Sequence, residues 1–151
     1  MVAGNRQKRP LASLLAGGLA LLSLTVSAVA NEPDPHPRTK TLMKRQWGIE
    51  VMYVRQTSAG YMLEFRYKVL DAEKAAALFE RQTKPLLTHI DTGAILVVPT
   101  PAKTGALRNS NMPIAGNTYW MFFANPGKLV QVGDQVNIEI GEFSVDGLYV
   151  K

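Results

Sequence analysis

The chain has 151 residues, a formal net charge of +5 and no cysteine. Without cysteine, disulfides, thiolate metal sites and cysteine nucleophiles are excluded. Three of the basic residues lie in residues 1–30, which leaves 14 basic against 12 acidic residues, a net charge of +2, in the rest of the chain. That dispersed charge disfavours nucleic acid as a partner, because such binding requires clustered phosphate neutralisation.

Residues 1–30 have the layout of a secretory signal peptide. Three basic residues precede an uncharged apolar stretch, and Ala28 and Ala30 place small side chains at the −3 and −1 positions of a cleavage site. The sequence therefore predicts a Sec-type signal and a periplasmic or secreted protein. The alternative is an uncleaved membrane anchor, because residues 11–30 are uncharged and about as long as the roughly 20 residues that span a bilayer.

Residues 31–45 predict a proline-rich flexible leader. Pro33, Pro35 and Pro37 alternate with polar residues, and proline at every second position blocks both helices and sheet ladders. The expected conformation is an extended tether of polyproline II character. Residues 46–151 form the predicted folded domain.

Alternating apolar side chains predict an antiparallel hairpin at the start of this domain. Residues 61–69 alternate without interruption, which indicates a half-buried strand. Residues 47–56 alternate in the same way, and a short glycine-containing loop separates the two runs. The side chains predicted to face the core are Trp47, Ile49, Val51, Tyr53, Tyr61, Leu63, Phe65, Tyr67 and Val69.

A short helix and a second hairpin follow. Residues 71–82 break the alternation, and Asp71 is a good N-cap residue before a run of alanines, so one short helix is predicted. The turn residues Asp91, Thr92 and Gly93 lie between two apolar runs and predict a second hairpin.

The remainder predicts a long surface loop and further strands. Residues 99–116 are irregular and rich in proline and glycine. Residues 118–124 are apolar on both faces, which is typical of a central strand. About seven short strands with one short α-helix predict a mainly β protein, an antiparallel immunoglobulin-like β-sandwich. A small closed barrel is the alternative.

Four stretches, GYMLEFRYKVLD, KAAALFERQTKPLL, VPTPAKTGALR and FFANPGKLVQVGDQVNIEIGEF, together resemble a family of small exported bacterial proteins that is uncharacterised. The resemblance covers residues 48–151 and implies no catalytic or binding residue. The strand count and the GDQVNIEIG ending are also similar to immunoglobulin-like sandwiches, a likeness of fold that does not fix function.

The sequence offers little for catalysis. His89 lies two residues before Asp91, but no serine stands in a G-x-S-x-G elbow. The closely spaced carboxylates Glu139 and Glu142 are expected to be solvated rather than an acid–base pair. The protein is therefore predicted not to be an enzyme.

Copper binding is the alternative function, and no other cofactor is predicted. Met52, Met62, Met121 and His89 offer thioether and imidazole ligands, which suit copper where thiolates are absent. Methionine is also a common filler of core gaps. The copper hypothesis requires that these four side chains converge.

The preferred function is a binding or accessory module with a protein partner. Lys103 and Arg108 in the long loop are candidate binding residues. Trp120 is a third candidate, because it marks a binding patch if its face is exposed. A membrane is an expected partner only if the signal remains uncleaved.

Overall fold

The computed structural model describes residues 37–151, so the predicted signal peptide and residues 31–36 lie outside the described part of the chain. Helix α1 is Pro37–Trp47, and helix α2 is Ala72–Ala75, which continues as a 3₁₀ turn over Ala76–Phe79. The seven strands within residues 37–151 are β1 Ile49–Thr57, β2 Met62–Val69, β3 Leu86–His89, β4 Ile95–Val97, β5 Thr118–Ala124, β6 Gln135–Ile140 and β7 Phe143–Tyr149. In this part of the chain, every helix is too short or too polar to cross a bilayer.

The strands form two antiparallel sheets, in the orders β1-β2-β5 and β4-β3-β6-β7. This arrangement confirms the predicted mainly β, sandwich-like fold class. Constant-type immunoglobulin domains place the fourth strand beside the fifth, whereas here β4 pairs with β3 in the other sheet. The two sheets also meet along one edge, where Val54 bridges Val150 in parallel and the Lys151 amide donates to the Val54 carbonyl at 2.9 Å.

One hydrophobic core takes side chains from both sheets, and its burial follows the predicted alternation in most strands. In β5, which is apolar on both faces, Tyr119, Met121 and Phe123 are buried while the residues between them are partly exposed, so only one face lies in the core. In β2 the predicted inward residues Leu63, Phe65, Tyr67 and Val69 are fully buried. Tyr61 was also expected inside, but it precedes β2 and is exposed.

A β-bulge in β1 reverses part of the predicted alternation. The register with β2 shifts between Val51 and Tyr53, so one extra residue turns the following side chains to the opposite face. Val54 was predicted to point outward and is instead buried in the core. Tyr53 was predicted to point inward and is partly exposed.

Helix α1 corrects the prediction of an extended leader over residues 37–45. Proline is tolerated in the first turn of a helix, where its missing N–H has no partner, so Pro37 starts the helix instead of preventing it. Lys44 and Arg45 lie in the last turn, where cations favour the helix dipole. Met43 is buried in the core, so this segment is part of the folded domain.

We expect the replacement of Asp71 by alanine to lower the free energy of unfolding by about 1 kcal/mol. Asp71 is the N-cap predicted from the sequence, and its Oδ1 accepts hydrogen bonds from the Glu73 and Lys74 amides at 3.1 and 3.2 Å. Urea unfolding measures the loss. Asp71→Asn is the matched control, because asparagine caps about equally well; equal losses in both variants would contradict the capping role.

Candidate functional site

Arg108 is held inside the protein because its loop pairs with β5. The Phe122 amide donates to the Leu107 carbonyl at 2.9 Å, and the Asn109 amide donates to the Trp120 carbonyl at 3.1 Å. Arg108 itself bridges Met121 in antiparallel register. Residues 107–109 therefore extend the three-stranded sheet by a short edge segment, and Arg108 is only 6 % exposed.

The Arg108 guanidinium is a buried cation without an acidic partner. One terminal nitrogen, Nη2, donates to the backbone carbonyl of Glu80. The other, Nη1, is buried and has no hydrogen-bond partner among the described residues. No carboxylate of residues 37–151 forms an ion pair with it. A buried charge is costly unless it is paired, and burial accordingly lowers the pKa of Arg108.

Tyr67 adds a second buried donor that interacts electrostatically with Arg108. Its hydroxyl has no hydrogen-bond partner in the described part of the chain. Burial raises the pKa of Tyr67, and the positive charge of Arg108 opposes that shift. Tyr67 therefore stays a neutral O–H donor, and its ring is fixed against Phe79 and Tyr119 at centroid distances of 6.2 Å each.

Two adjoining cavities of about 400 and 380 Å³ open beside Arg108, and we call them together the Arg108 pocket. Both are lined by Arg81, Ala106 and Arg108. The larger cavity adds the cation Lys84 and an apolar side formed by Pro85, Val97 and Val98. Neither Arg81 nor Lys84 forms an ion pair with an acid of residues 37–151, so the lining combines three cations with apolar surface.

The three predicted binding residues have different positions. Arg108 was expected on the surface and is instead buried, because its segment joins the sheet. Lys103 is exposed, as predicted for a loop residue, but it does not line the Arg108 pocket. Trp120 is partly exposed; its amide donates to Asn109 Oδ1 at 2.9 Å, and its ring lies 4.9 Å from that of Phe122.

The four proposed copper ligands do not converge. Met62 pairs with Thr57 at one end of the first hairpin, whereas Met52 lies near the bulge, so the two methionines do not face each other. Met52 is 46 % exposed, while Met121 is fully buried in the core. His89 belongs to the other sheet, where it pairs with Val136. Met52 and Met62 therefore form no cross-strand pair, and the convergence that the copper hypothesis requires is not found.

Comparisons of the chain with protein-family models, with curated proteins and with solved structures found no match. The fold and the pocket together define a sandwich-like β domain with a buried arginine in a basic, partly apolar cavity. Because fold alone does not determine function, the function has to be argued from the residues of that cavity.

Proposed function

We propose that the protein is an exported, non-enzymatic binding module whose Arg108 pocket receives a carboxylate group of a protein partner. The observation that carries this proposal is the buried Arg108 guanidinium, whose Nη1 has no hydrogen-bond partner and no acid within ion-pair distance among residues 37–151. A bound carboxylate would supply both the missing acceptor and the missing charge. Export rests on the layout of residues 1–30.

The shape and lining of the pocket favour a carboxylate attached to an apolar group. Arginine presents a planar fork of N–H donors that matches the two oxygens of a carboxylate. A volume of about 400 Å³ falls within the range of about 300–1,000 Å³ that is usual for ligand pockets. Pro85 and Val97 form an apolar surface beside the cations. An apolar peptide side chain packs against such a surface, whereas an inorganic anion does not.

A structural role for Arg108 explains neither its positive charge nor its second terminal nitrogen. Its hydrogen bond to the carbonyl of Glu80, the residue directly after the 3₁₀ turn over Ala76–Phe79, connects the loop to that turn. That contact uses only one terminal nitrogen, and a neutral donor of similar length would make it without burying a charge. The positive charge and the second nitrogen therefore point to an anionic ligand.

The test uses short apolar peptides that carry a single carboxylate, either at the C-terminus or on a glutamate, and matched amide versions that lack the charge. Fluorescence polarisation measures their affinity for the protein. We expect the amide versions to bind at least about 10-fold more weakly, because a hydrogen bond to a charged group contributes about 1.5–3 kcal/mol.

Variants of the pocket separate binding from folding. Arg108→Ala should abolish the preference for the acid form, and Arg81→Ala and Lys84→Ala, at exposed positions, should each weaken binding several-fold. Lys103→Ala is the matched control and should leave the affinity unchanged, because Lys103 does not line the pocket. Equal affinity for acid and amide peptides, or displacement of the peptides by inorganic phosphate or sulfate, would contradict a carboxylate ligand.

A further inference from the structure

A second cluster of polar side chains lies at the other end of β3 from the Arg108 pocket. His89 is the last residue of β3, and Asp91 follows in the hairpin turn. Asp134 directly precedes β6, which pairs with β3, and the Ile90 amide donates to the Gln135 carbonyl at 3.1 Å. One ligand atom from each of His89, Asp91 and Asp134 lies within 4.8 Å of the other two.

His89 is buried, and one of its ring nitrogens has no hydrogen bond. Its side chain is 5 % exposed, and Nε2 lies 3.2 Å from Asp134 Oδ2. The orientation of that contact is not that of a hydrogen bond, so buried Nε2 has no hydrogen-bond partner among the described residues. Leaving a buried polar atom without a hydrogen bond costs about 1–3 kcal/mol, and among residues 37–151 Nε2 has only the ion-pair contact with Asp134.

The separation of the two atoms fits two ligands of one metal ion. Zinc binds histidine nitrogen at about 2.0–2.1 Å and carboxylate oxygen at about 2.0–2.2 Å. Two such ligands in a tetrahedral arrangement lie about 3.4 Å apart, close to the 3.2 Å between Nε2 and Oδ2. In the tautomer with the proton on Nδ1, the Nε2 lone pair approaches the carboxylate unfavourably, and a metal ion bound by both atoms removes that approach.

Further hydrogen bonds orient both ligands from outside the cluster. His89 Nδ1 lies 2.8 Å from Thr92 Oγ1, and a proton donated from Nδ1 to that oxygen leaves the lone pair of Nε2 directed at the cluster. Asp134 Oδ2 accepts a hydrogen bond from the Gln131 amide at 2.7 Å, which fixes its carboxylate. Such outer contacts are typical of metal ligands, whose tautomer and orientation they set.

We propose that His89, Asp91 and Asp134 bind a divalent transition-metal ion, for which Zn²⁺ is the best match. One imidazole and two carboxylates suit Zn²⁺, whereas Ca²⁺ takes six to eight oxygen ligands. The two carboxylates balance the ionic charge of +2. Three protein ligands leave the fourth tetrahedral position for water or for a ligand. This site is independent of the Arg108 pocket.

The test is a zinc titration by calorimetry, on protein expressed as the full chain and purified through a tag without histidine. We expect one Zn²⁺ per chain. Loss of an outer hydrogen bond costs about 10–100-fold in metal affinity, so loss of a ligand in His89→Gln, Asp91→Asn or Asp134→Asn should cost at least as much. Asp91 is an exposed turn residue, so Asp91→Asn tests the site without a risk to folding.

Two matched controls and one spectrum complete the experiment. His36→Gln removes the only other histidine of the chain, and Asp146→Asn removes an exposed carboxylate away from β3; both should bind Zn²⁺ as tightly as the wild type. Added Co²⁺ should show the intense visible absorption of a four-coordinate ion, and Asp91→Asn should lose it. The proposal is overturned if the wild type does not bind Zn²⁺, if Asp91→Asn binds it equally well, or if His36→Gln abolishes binding.

Discussion

Replacing Asn125 by alanine is expected to lower the free energy of unfolding by about 2–5 kcal/mol, since it leaves the buried Gly60 carbonyl and Val130 amide without partners at about 1–3 kcal/mol each, while the Val130 carbonyl keeps its hydrogen bond from Gln56 Nε2 at 2.7 Å. Asn125 is fully buried. Its Nδ2 donates to the carbonyls of Gly60 and Val130, both at 2.9 Å, and its Oδ1 accepts from the Val130 amide at 3.0 Å. One side chain thus joins the β1–β2 loop to the chain that follows β5. Urea unfolding measures the loss.

Two further variants test whether these hydrogen bonds are the cause. Asn125→Asp keeps the acceptor for the Val130 amide but loses both donors and buries a charge, so it should destabilise at least as strongly at neutral pH. Acidification should reduce that loss, because protonation removes the charge and restores one donor. Asn111→Ala, in the exposed part of the loop, should change stability by no more than about 0.5 kcal/mol. A loss at Asn125→Ala as small as that at Asn111→Ala would rule out the hydrogen-bonding role.

Local sequence predicts the turn around Asn125 but not the hydrogen-bond partners of its side chain. The Asn-Pro-Gly tripeptide predicts that the chain turns here, and a 3₁₀ turn over Pro126–Lys128 is present. The pattern says nothing about Gly60, which is far away in sequence. The partners of Asn125 depend on how the two loops meet in the folded protein, so its burial could not be read from turn chemistry.

The positions of the strands were predictable, because they depend on local sequence. Alternation with period 2 is a property of each segment alone, so the inward residues of β2 follow directly from the sequence, whereas β5 is apolar on both faces and the sequence does not say which face is buried. The bulge between Val51 and Tyr53 depends instead on pairing with β2, and it moved Val54 into the core. Helix α1 contradicts the predicted leader because proline breaks a helix in its interior but is tolerated in the first turn, which is where Pro37 lies.

Both candidate sites join residues that are distant in sequence. The sequence predicts Arg108 as a cation of a surface loop, but its burial depends on pairing with β5, and its hydrogen bond to Glu80 spans 28 residues. Arg81 and Lys84 also line the Arg108 pocket, and the sequence indicates them only weakly, as two basic residues near the end of the predicted helix over residues 71–82. Gly133 and Asp134 predict only a turn, and nothing local indicates that Asp134 meets His89.

The two proposed sites lie at opposite ends of the same short strand, β3. Lys84 and Pro85 precede β3 and line the Arg108 pocket, whereas His89 ends β3 and belongs to the proposed metal site. At about 3.3 Å per residue, the four residues from Pro85 to His89 separate the sites by about 13 Å. A substitution at one site should therefore leave the ligand affinity of the other unchanged, since effects at sites more than about 7–10 Å apart are usually independent.

Replacing Gly48 by alanine is the second substitution with a large expected effect, a loss of about 2–5 kcal/mol in the free energy of unfolding. Gly48 links α1 to β1 with a φ of +59°, and an added Cβ would lie 2.7 Å from Asp71 Cβ and 2.8 Å from the Asp71 carbonyl oxygen. The left-handed backbone costs a residue with a side chain about 1–2 kcal/mol, and overpacking adds about 1–3 kcal/mol. The overlap is hard to relieve, because the Gly48 carbonyl accepts from the Leu70 and Asp71 amides at 2.7 and 3.0 Å.

Gly127→Ala separates these two causes. Gly127 has a similar φ of +66°, but no heavy atom lies within 4 Å of the position that its Cβ would take. This variant should therefore lose only the backbone contribution of about 1–2 kcal/mol, and the difference between the two losses in urea unfolding measures the overlap with Asp71. Equal losses would mean that the junction between α1 and β1 yields to the added methyl group, in which case α1 is not held against the α2 cap as rigidly as its contacts indicate.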